Sequence, residues 1–134
     1  MTYALSPSPS PLILPAAILI DTARCWREAR DSGRSVQPCL SRTLAAHDCA
    51  MLAPVFDSLI LFYEAALGRP MTVGKSPALS DDEHLLLGLL DGSRPRPADI
   101  DCPEGAATAL DCALCSTRIM MALTIERPAT QAIP

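Results

Sequence analysis

Cys112 and Cys115 stand three residues apart, the spacing at which two thiols on a helix project from adjacent turns of one side. Two such thiolates can hold a divalent metal if another segment supplies two more ligands. His47 and Cys49 are the candidates for that second pair, so Cys112, Cys115, Cys49 and His47 would together form a Cys3His zinc site. Two features count against it. No second C-x-x-C is present, and on a regular helix residues two apart point to different faces. The competing reading treats these cysteines as small hydrophobes packed between helices.

The same residue type admits redox chemistry. A thiolate is favoured at a helix N-terminus, where the backbone dipole stabilises negative charge. Cys39 and Cys102 fall near expected helix starts, which makes them better reactive candidates than the mid-helix pair. A thioredoxin-like C-x-x-C opens a helix after a strand, and no strand pattern precedes Cys112. Nucleophilic catalysis has less behind it. His47, Asp48 and Cys49 are consecutive, and helical neighbours diverge by about 100°, so the three cannot face one another as a triad requires. No constellation for enzymatic catalysis is present. His84, in the first turn of an expected helix, reads as a surface histidine.

One phosphate-loop signal is false. Gly68 and Gly74-Lys75-Ser76 have five residues between the glycines where the motif needs four, and the loop follows a helix instead of a strand.

The elements that would position these residues are helical. The chain has 134 residues, 49 % of them hydrophobic but only 4 % aromatic, so leucine, alanine, isoleucine and methionine must fill the core. Such side chains lose little freedom in a helix. One domain of this length can bury a real core without covalent staples. The net charge of −4 argues against a nucleic-acid partner. The basic set Arg24, Arg27 and Arg30 is interleaved with Asp21, Glu28 and Asp31, which would neutralise it.

Ser/Pro alternation marks residues 1–12 as a disordered tail, residues 13–127 as one helical domain, and residues 128–134 as a second tail. The first helix is expected from Pro15 to Asp31, with Gly33 as its stop and Trp26 on its apolar face as a core anchor. A second helix is expected from Pro38 to Leu67, kinked or broken at Pro54. Within it Asp57, Glu64 and Gly68 fall on one line, read as a narrow solvated stripe. Ser80-Asp81-Asp82-Glu83 is a capping box opening a short third helix that Gly92 ends. The last helix is expected from a cap at Asp101 or Cys102 to about Ile125, with Ala106, Leu110, Ala113, Thr117, Met120 and Thr124 along its packing face. The fold class is all-α, either a four-helix antiparallel bundle or a small irregular helical domain.

No signal peptide is expected, nor a membrane span, since Pro54, Asp57 and Glu64 interrupt the most apolar run. A cytoplasmic location with reduced thiols follows. Arg42, Ala45-Ala46-His47-Asp48, Gly68-Arg69-Pro70 and Ser80-x-x-Glu83 before a leucine run resemble, in that order over Arg42–Leu90, a family of short uncharacterised bacterial helical proteins of unknown function. The resemblance implies a bacterial origin and a helical fold. It carries no activity, and the cysteine-rich segment of that pattern is replaced here by VGKSPAL.

These readings lead to a non-enzymatic helical interaction or structural domain, with a protein partner or a second copy as its target. The alternative is a metal-binding or thiol-based regulatory protein using Cys112, Cys115, Cys49 and His47, with zinc as its cofactor.

Overall fold

Leucine- and alanine-rich segments coil into five α-helices in the computed structural model, which describes residues 10–75, 78–93 and 104–124. The order is α1 (Ser10–Ser32), α2 (Val36–Ala45), a 3-10 turn (Ala50–Leu52), α3 (Ala53–Leu67), α4 (Asp81–Asp91) and α5 (Glu104–Thr124). No strand occurs among the described residues. The protein is therefore all-α, with one helix more than the four expected. The cap expected at Asp101 or Cys102 and most of both expected tails lie outside the described residues.

Three boundaries bear on the sequence expectation, two departing from it and one, the Gly33 stop, agreeing with it. First, α1 begins at Ser10, so Pro15 lies inside it and not at its first position. Proline there forgoes the bond that an N–H would make to the Pro11 carbonyl, within the second turn of the helix. Second, α1 closes in a left-handed Gly33 (φ 73°): Arg34 N–H reaches the Ala29 carbonyl at 2.8 Å and Gly33 N–H the Arg30 carbonyl at 3.3 Å. This paired pattern needs a residue free of the Cβ penalty, and it turns the chain back as α2.

Third, the long helix from Pro38 to Leu67 is two helices, and the break is not at Pro54. Helix α2 ends at Ala45, and Asp48 takes a left-handed φ of 61°. Asp48 N–H donates to the Ala45 carbonyl and Cys49 N–H to the Leu44 carbonyl, each at 2.9 Å. An aspartate tolerates this conformation better than most side chains. Pro54 then falls in the first turn of α3, where its missing N–H has no intrahelical partner to lose.

Helix α3 is central. It packs against α1 and α2 on one side and most extensively against α5 on another. Trp26, Phe56 and Tyr63 are fully buried beside Leu19, Leu40, Leu44, Leu59, Ile60, Leu86 and Leu89. Trp26 is thus the core anchor its position suggested. Its indole N–H also donates to Asp57 Oδ1 at 2.7 Å, while the Arg30 guanidinium sits 4.8 Å from the ring centroid.

That bond corrects the reading of Asp57 and Glu64. They are not a solvated stripe. Asp57 accepts from Trp26 and, at 2.7 Å, from Gln37 on α2. Glu64 pairs with Arg27 of α1 at 2.5 Å and accepts the Met71 N–H at 2.8 Å. The polar line of α3 faces inward and fastens α1, α2 and the following loop. The arginines of α1 are correspondingly less self-neutralised than expected. Arg27 does reach Asp31, but Arg24 pairs with Glu83 of α4 and Arg30 stacks on Trp26.

The capping box of α4 is present as read: Ser80 Oγ accepts the Glu83 N–H at 3.0 Å, and Glu83 Oε1 accepts the Ser80 N–H at 2.9 Å. Around it sits a clasp the local motif does not announce. Glu83 also accepts Arg24 Nε and Nη2 at 2.8 and 3.0 Å and the Gly74 N–H at 3.1 Å. Asp82 accepts both Arg69 nitrogens at 2.6 and 2.9 Å and the Thr72 N–H at 2.7 Å. The loop between α3 and α4 is therefore folded onto two buried carboxylates. Gly74 shows how closely: a Cβ there would lie 2.5 Å from the Ala78 carbonyl oxygen.

The clasp sets an acid limit. The Arg69 hydrogen bond holds the Asp82 carboxyl below its ordinary range, with the Thr72 amide adding to it against burial. Burial pushes the Glu83 carboxyl up, but the Arg24 hydrogen bond and the Ser80 and Gly74 amides together outweigh it, and the net direction is down. Groups more acidic when folded stabilise fully above their unfolded values, about 3.9 for Asp and 4.3 for Glu. That stability is lost as pH falls from there through the folded values, with a slope of up to about 1.4 kcal/mol per pH unit for each carboxylate. Urea midpoints at successive pH values should therefore hold steady down to about pH 5 and drop below it. A midpoint that rises on acidification would contradict the clasp.

Candidate interaction face

The helices α3 and α5 run antiparallel: the Thr124 hydroxyl, at the end of α5, reaches the sulfur of Met51 just before α3 at 3.5 Å. The packing face of α5 is the one its spacing indicated, with Leu110, Ala113 and Thr117 buried. Arg118, on another side, caps the end of α4 by donating to the Leu89 and Leu90 carbonyls, each at 2.7 Å. This satisfies acceptors that a helix end leaves without intrahelical partners.

Because the polar line of α3 turns toward α1, a different line faces out. Met51, Pro54, Ser58, Leu61 and Ala65 are all exposed and recur at steps of three and four. None carries a charge. On α5 the exposed line Cys112, Ser116, Ile119 and Leu123 is equally uncharged. Exposure reaches 65 % at Met51, 44 % at Leu61, 55 % at Ile119 and 63 % at Leu123. Among the described residues these are the exposed large apolar side chains.

A shallow groove of about 720 Å³ joins the two lines. Met51, Pro54, Val55, Ser58 and Phe62 form its α3 wall. Ala109, Cys112, Ala113, Ser116 and Met120 form its α5 wall. Small residues at 109, 112, 113 and 116 make the α5 side low, while Ile119 and Leu123 stand beside it. The groove has no carboxylate, imidazole or ammonium among the described residues that line it, and the Cys112 thiol is the one titratable side chain. It can bury apolar surface. Its polar lining side chains are the hydroxyls of Ser58 and Ser116 and the Cys112 thiol.

The four residues considered as zinc ligands are spread over the fold. Cys112 and Cys115 are exposed on α5. Cys49 is buried beneath the turn before α3, where burial, with Asp48 adding in the same direction, pushes its thiol up. His47 Nε2 lies 3.2 Å from Asp21 Oδ2 of α1. Among the described residues no three histidine, cysteine, aspartate or glutamate side chains form a group able to hold a metal. Cys112, Cys115, Cys49 and His47 therefore form no such group. His84 is exposed, as read, and Cys102 lies outside the described residues. Cys25 on α1 is half-buried, Cys39 on α2 is buried, and both are free thiols.

Two segments, Ala50–Leu67 and Gly105–Thr124, are long and apolar enough to cross a membrane by length and composition. Only 39 % and 33 % of them are buried inside the fold. The core helices of globular proteins pass the same test. The low shares restate the geometry above, in which α3 and α5 each bury one side and show an uncharged one.

No protein family, no characterised protein and no solved structure matches this chain.

Proposed function

We propose that this chain is a non-enzymatic helical interaction domain that associates with a second copy of itself through the α3–α5 face. One observation carries the reading: the charged line of α3 is spent on internal contacts, and an uncharged line, continuous with that of α5, is left outside. Contiguous apolar surface of this kind, rimmed by polar groups, marks interaction sites.

The face suits its own copy. A two-fold axis sets the same patch against itself, and an uncharged patch brings no like charges together. The ridge of Ile119 and Leu123 stands next to a groove floored by small residues, so rotated copies can seat ridge into groove. Two antiparallel helices stacked on two form the layer that helical bundles use. The net charge of −4 and the absence of cationic side chains on this face give nucleic acid nothing to bind.

Sedimentation equilibrium across micromolar concentrations tests the proposal. The wild-type chain should approach twice its 14.3 kDa mass. Ile119→Glu should weaken association at least about 100-fold, because it would bury an unpaired carboxylate in the seam. The same change should leave monomer stability within about 0.5 kcal/mol, since Ile119 is an exposed side chain. A wild-type monomer at tens of micromolar, an Ile119→Glu dimer as tight as wild type, or a monomer that floats with neutral phospholipid vesicles would each overturn the proposal.

A further inference from the structure

The chain between α3 and α4 is held down mainly by polar contacts. Of residues 69–75 only Met71 is buried; Arg69, Pro70, Thr72 and Lys75 are exposed, and Val73 and Gly74 are half-buried. Three backbone N–H groups of this stretch each end on a side-chain carboxylate. Met71 N–H donates to Glu64 Oε2 at 2.8 Å, Thr72 N–H to Asp82 Oδ2 at 2.7 Å, and Gly74 N–H to Glu83 Oε1 at 3.1 Å. The Thr72 carbonyl accepts the Ser80 hydroxyl at 2.6 Å. Each carboxylate also pairs with an arginine: Glu64 with Arg27, Asp82 with Arg69, and Glu83 with Arg24. We infer that residues 69–75 are an acid-released strap, which lifts off as a unit, with Met71 leaving the core, while the five helices stay folded. This inference is independent of the α3–α5 face.

The strap is the part of the fold that depends on these bonds. One buried side chain gives little to set against the backbone freedom lost in seven ordered residues. A hydrogen bond to a charged acceptor is stronger than one to a neutral acceptor, and protonation removes that difference. The helices have another source of stability. Trp26, Leu40, Phe56, Leu86 and Leu110, one from each helix, lie fully buried in one core cluster. Arg118 of α5 holds the far end of α4 by its last carbonyls. Segments with few buried apolar contacts open at lower cost than the whole fold.

The groups facing the carboxylates set the direction of the response. Arg24 and Arg27 come from α1, with Asp21 near Arg24 and Asp31 on Arg27. Arg69 comes from the strap itself, and Tyr63 of α3 donates its hydroxyl to the Asp82 carbonyl. The Arg69 hydrogen bond holds the Asp82 carboxyl down. Burial pushes the Glu83 carboxyl up, but Arg24 and the Ser80 and Gly74 amides outweigh it. The grip of both is therefore complete above the ordinary carboxylate range and is lost as pH falls through the folded values.

Amide exchange of the full wild-type chain, followed residue by residue by NMR from pH 7 to pH 2.5, tests the strap. Each rate is divided by that of an unstructured peptide of the same sequence at the same pH, so the quotient reads protection alone. At pH 7 the Met71, Thr72 and Gly74 amides should be protected at least about tenfold. At pH 2.5 their protection should fall to about one, while Leu59 and Ile60 of α3 keep at least about 100-fold and circular dichroism still shows the helices. Arg69→Gln removes the charged partner of Asp82 from a half-exposed position. It should lower strap protection at pH 7 by about three- to tenfold and move its loss to higher pH. Loss of protection in the strap and α3 at the same pH, strap protection that persists at pH 2.5, no strap protection at pH 7, or an Arg69→Gln profile identical to wild type would each overturn the inference. If circular dichroism shows that Arg69→Gln does not fold, the wild-type profile decides by itself.

Discussion

Glu83→Gln should lower the free energy of unfolding by about 3–5 kcal/mol, the range seen when one partner of a buried ion pair is removed. Urea denaturation at pH 7 reads this directly. The Glu83 side chain is fully buried, whereas that of Arg24 is 21 % exposed. Four donors converge on the carboxylate: Oε1 accepts Arg24 Nη2 and the N–H groups of Gly74 and Ser80, and Oε2 accepts Arg24 Nε. Glutamine keeps the shape and one carbonyl oxygen. It also turns an amide NH2 toward donors and leaves the guanidinium without its charge partner. The Gly74 backbone, whose Cβ position is 3.1 Å from Glu83 Oε1, has no room to retreat.

A double-mutant cycle with Arg24→Met separates the two contributions. If the ion pair dominates, Arg24→Met should restore part of what Glu83→Gln loses, because it removes the stranded charge. If the backbone contacts dominate, the two changes should add. A loss under about 1 kcal/mol for Glu83→Gln would mean that the clasp is a surface pair, not a buried one. Such a result would also remove the share of the acid dependence expected from Glu83.

The clasp shows how unevenly the sequence displayed the fold. Ser80 to Glu83 was legible because a capping box is local: a hydroxyl, an amide and a carboxylate within one turn define it. The same carboxylate's bond to Arg24 spans 59 positions, and no spacing rule reaches that far. Asp57 and Glu64 failed for a related reason. Periodicity established that they share a line on α3, but not which way the line faces. Their donors, Trp26 and Arg27, lie on α1. Once those contacts turn the polar line inward, the exposed line at Pro54, Ser58 and Leu61 follows from geometry.

Pro54 misled in the other direction. A proline inside an apolar run reads as a kink, yet proline is equally at home in a first turn. The chain places the break at Asp48, one of the few non-glycine types suited to φ 61°. The cysteines were read by sequence spacing, which favoured Cys112 and Cys115. Arginines far from their partners in sequence do similar work: Arg69 holds Asp82 and Arg24 holds Glu83.

Trp26→Ala should cost at least as much as the loss of Glu83, about 3–5 kcal/mol for the cavity alone. Trp26 is the largest fully buried side chain, and α1, α2 and α3 meet around it. Its removal adds a polar cost, because Asp57 loses the 2.7 Å indole donor and retains only Gln37 among these contacts. The Arg30 guanidinium, 4.8 Å from the ring centroid, loses the face on which it lies. Trp26→Phe divides these effects. Phenylalanine keeps much of the ring and removes the N–H, so its cost should approach that of a hydrogen bond to a charged acceptor, about 1.5–3 kcal/mol. Thermal unfolding followed by circular dichroism should rank wild type above Trp26→Phe and Trp26→Phe above Trp26→Ala. With ordinary domains stable by about 5–15 kcal/mol, the alanine variant should melt far below wild type. Equal melting temperatures for the two variants would show that the indole bond to Asp57, and not burial of the ring, holds α1 to α3. In that event Asp57→Asn should be the more damaging change, because it weakens the acceptor that both Trp26 and Gln37 share.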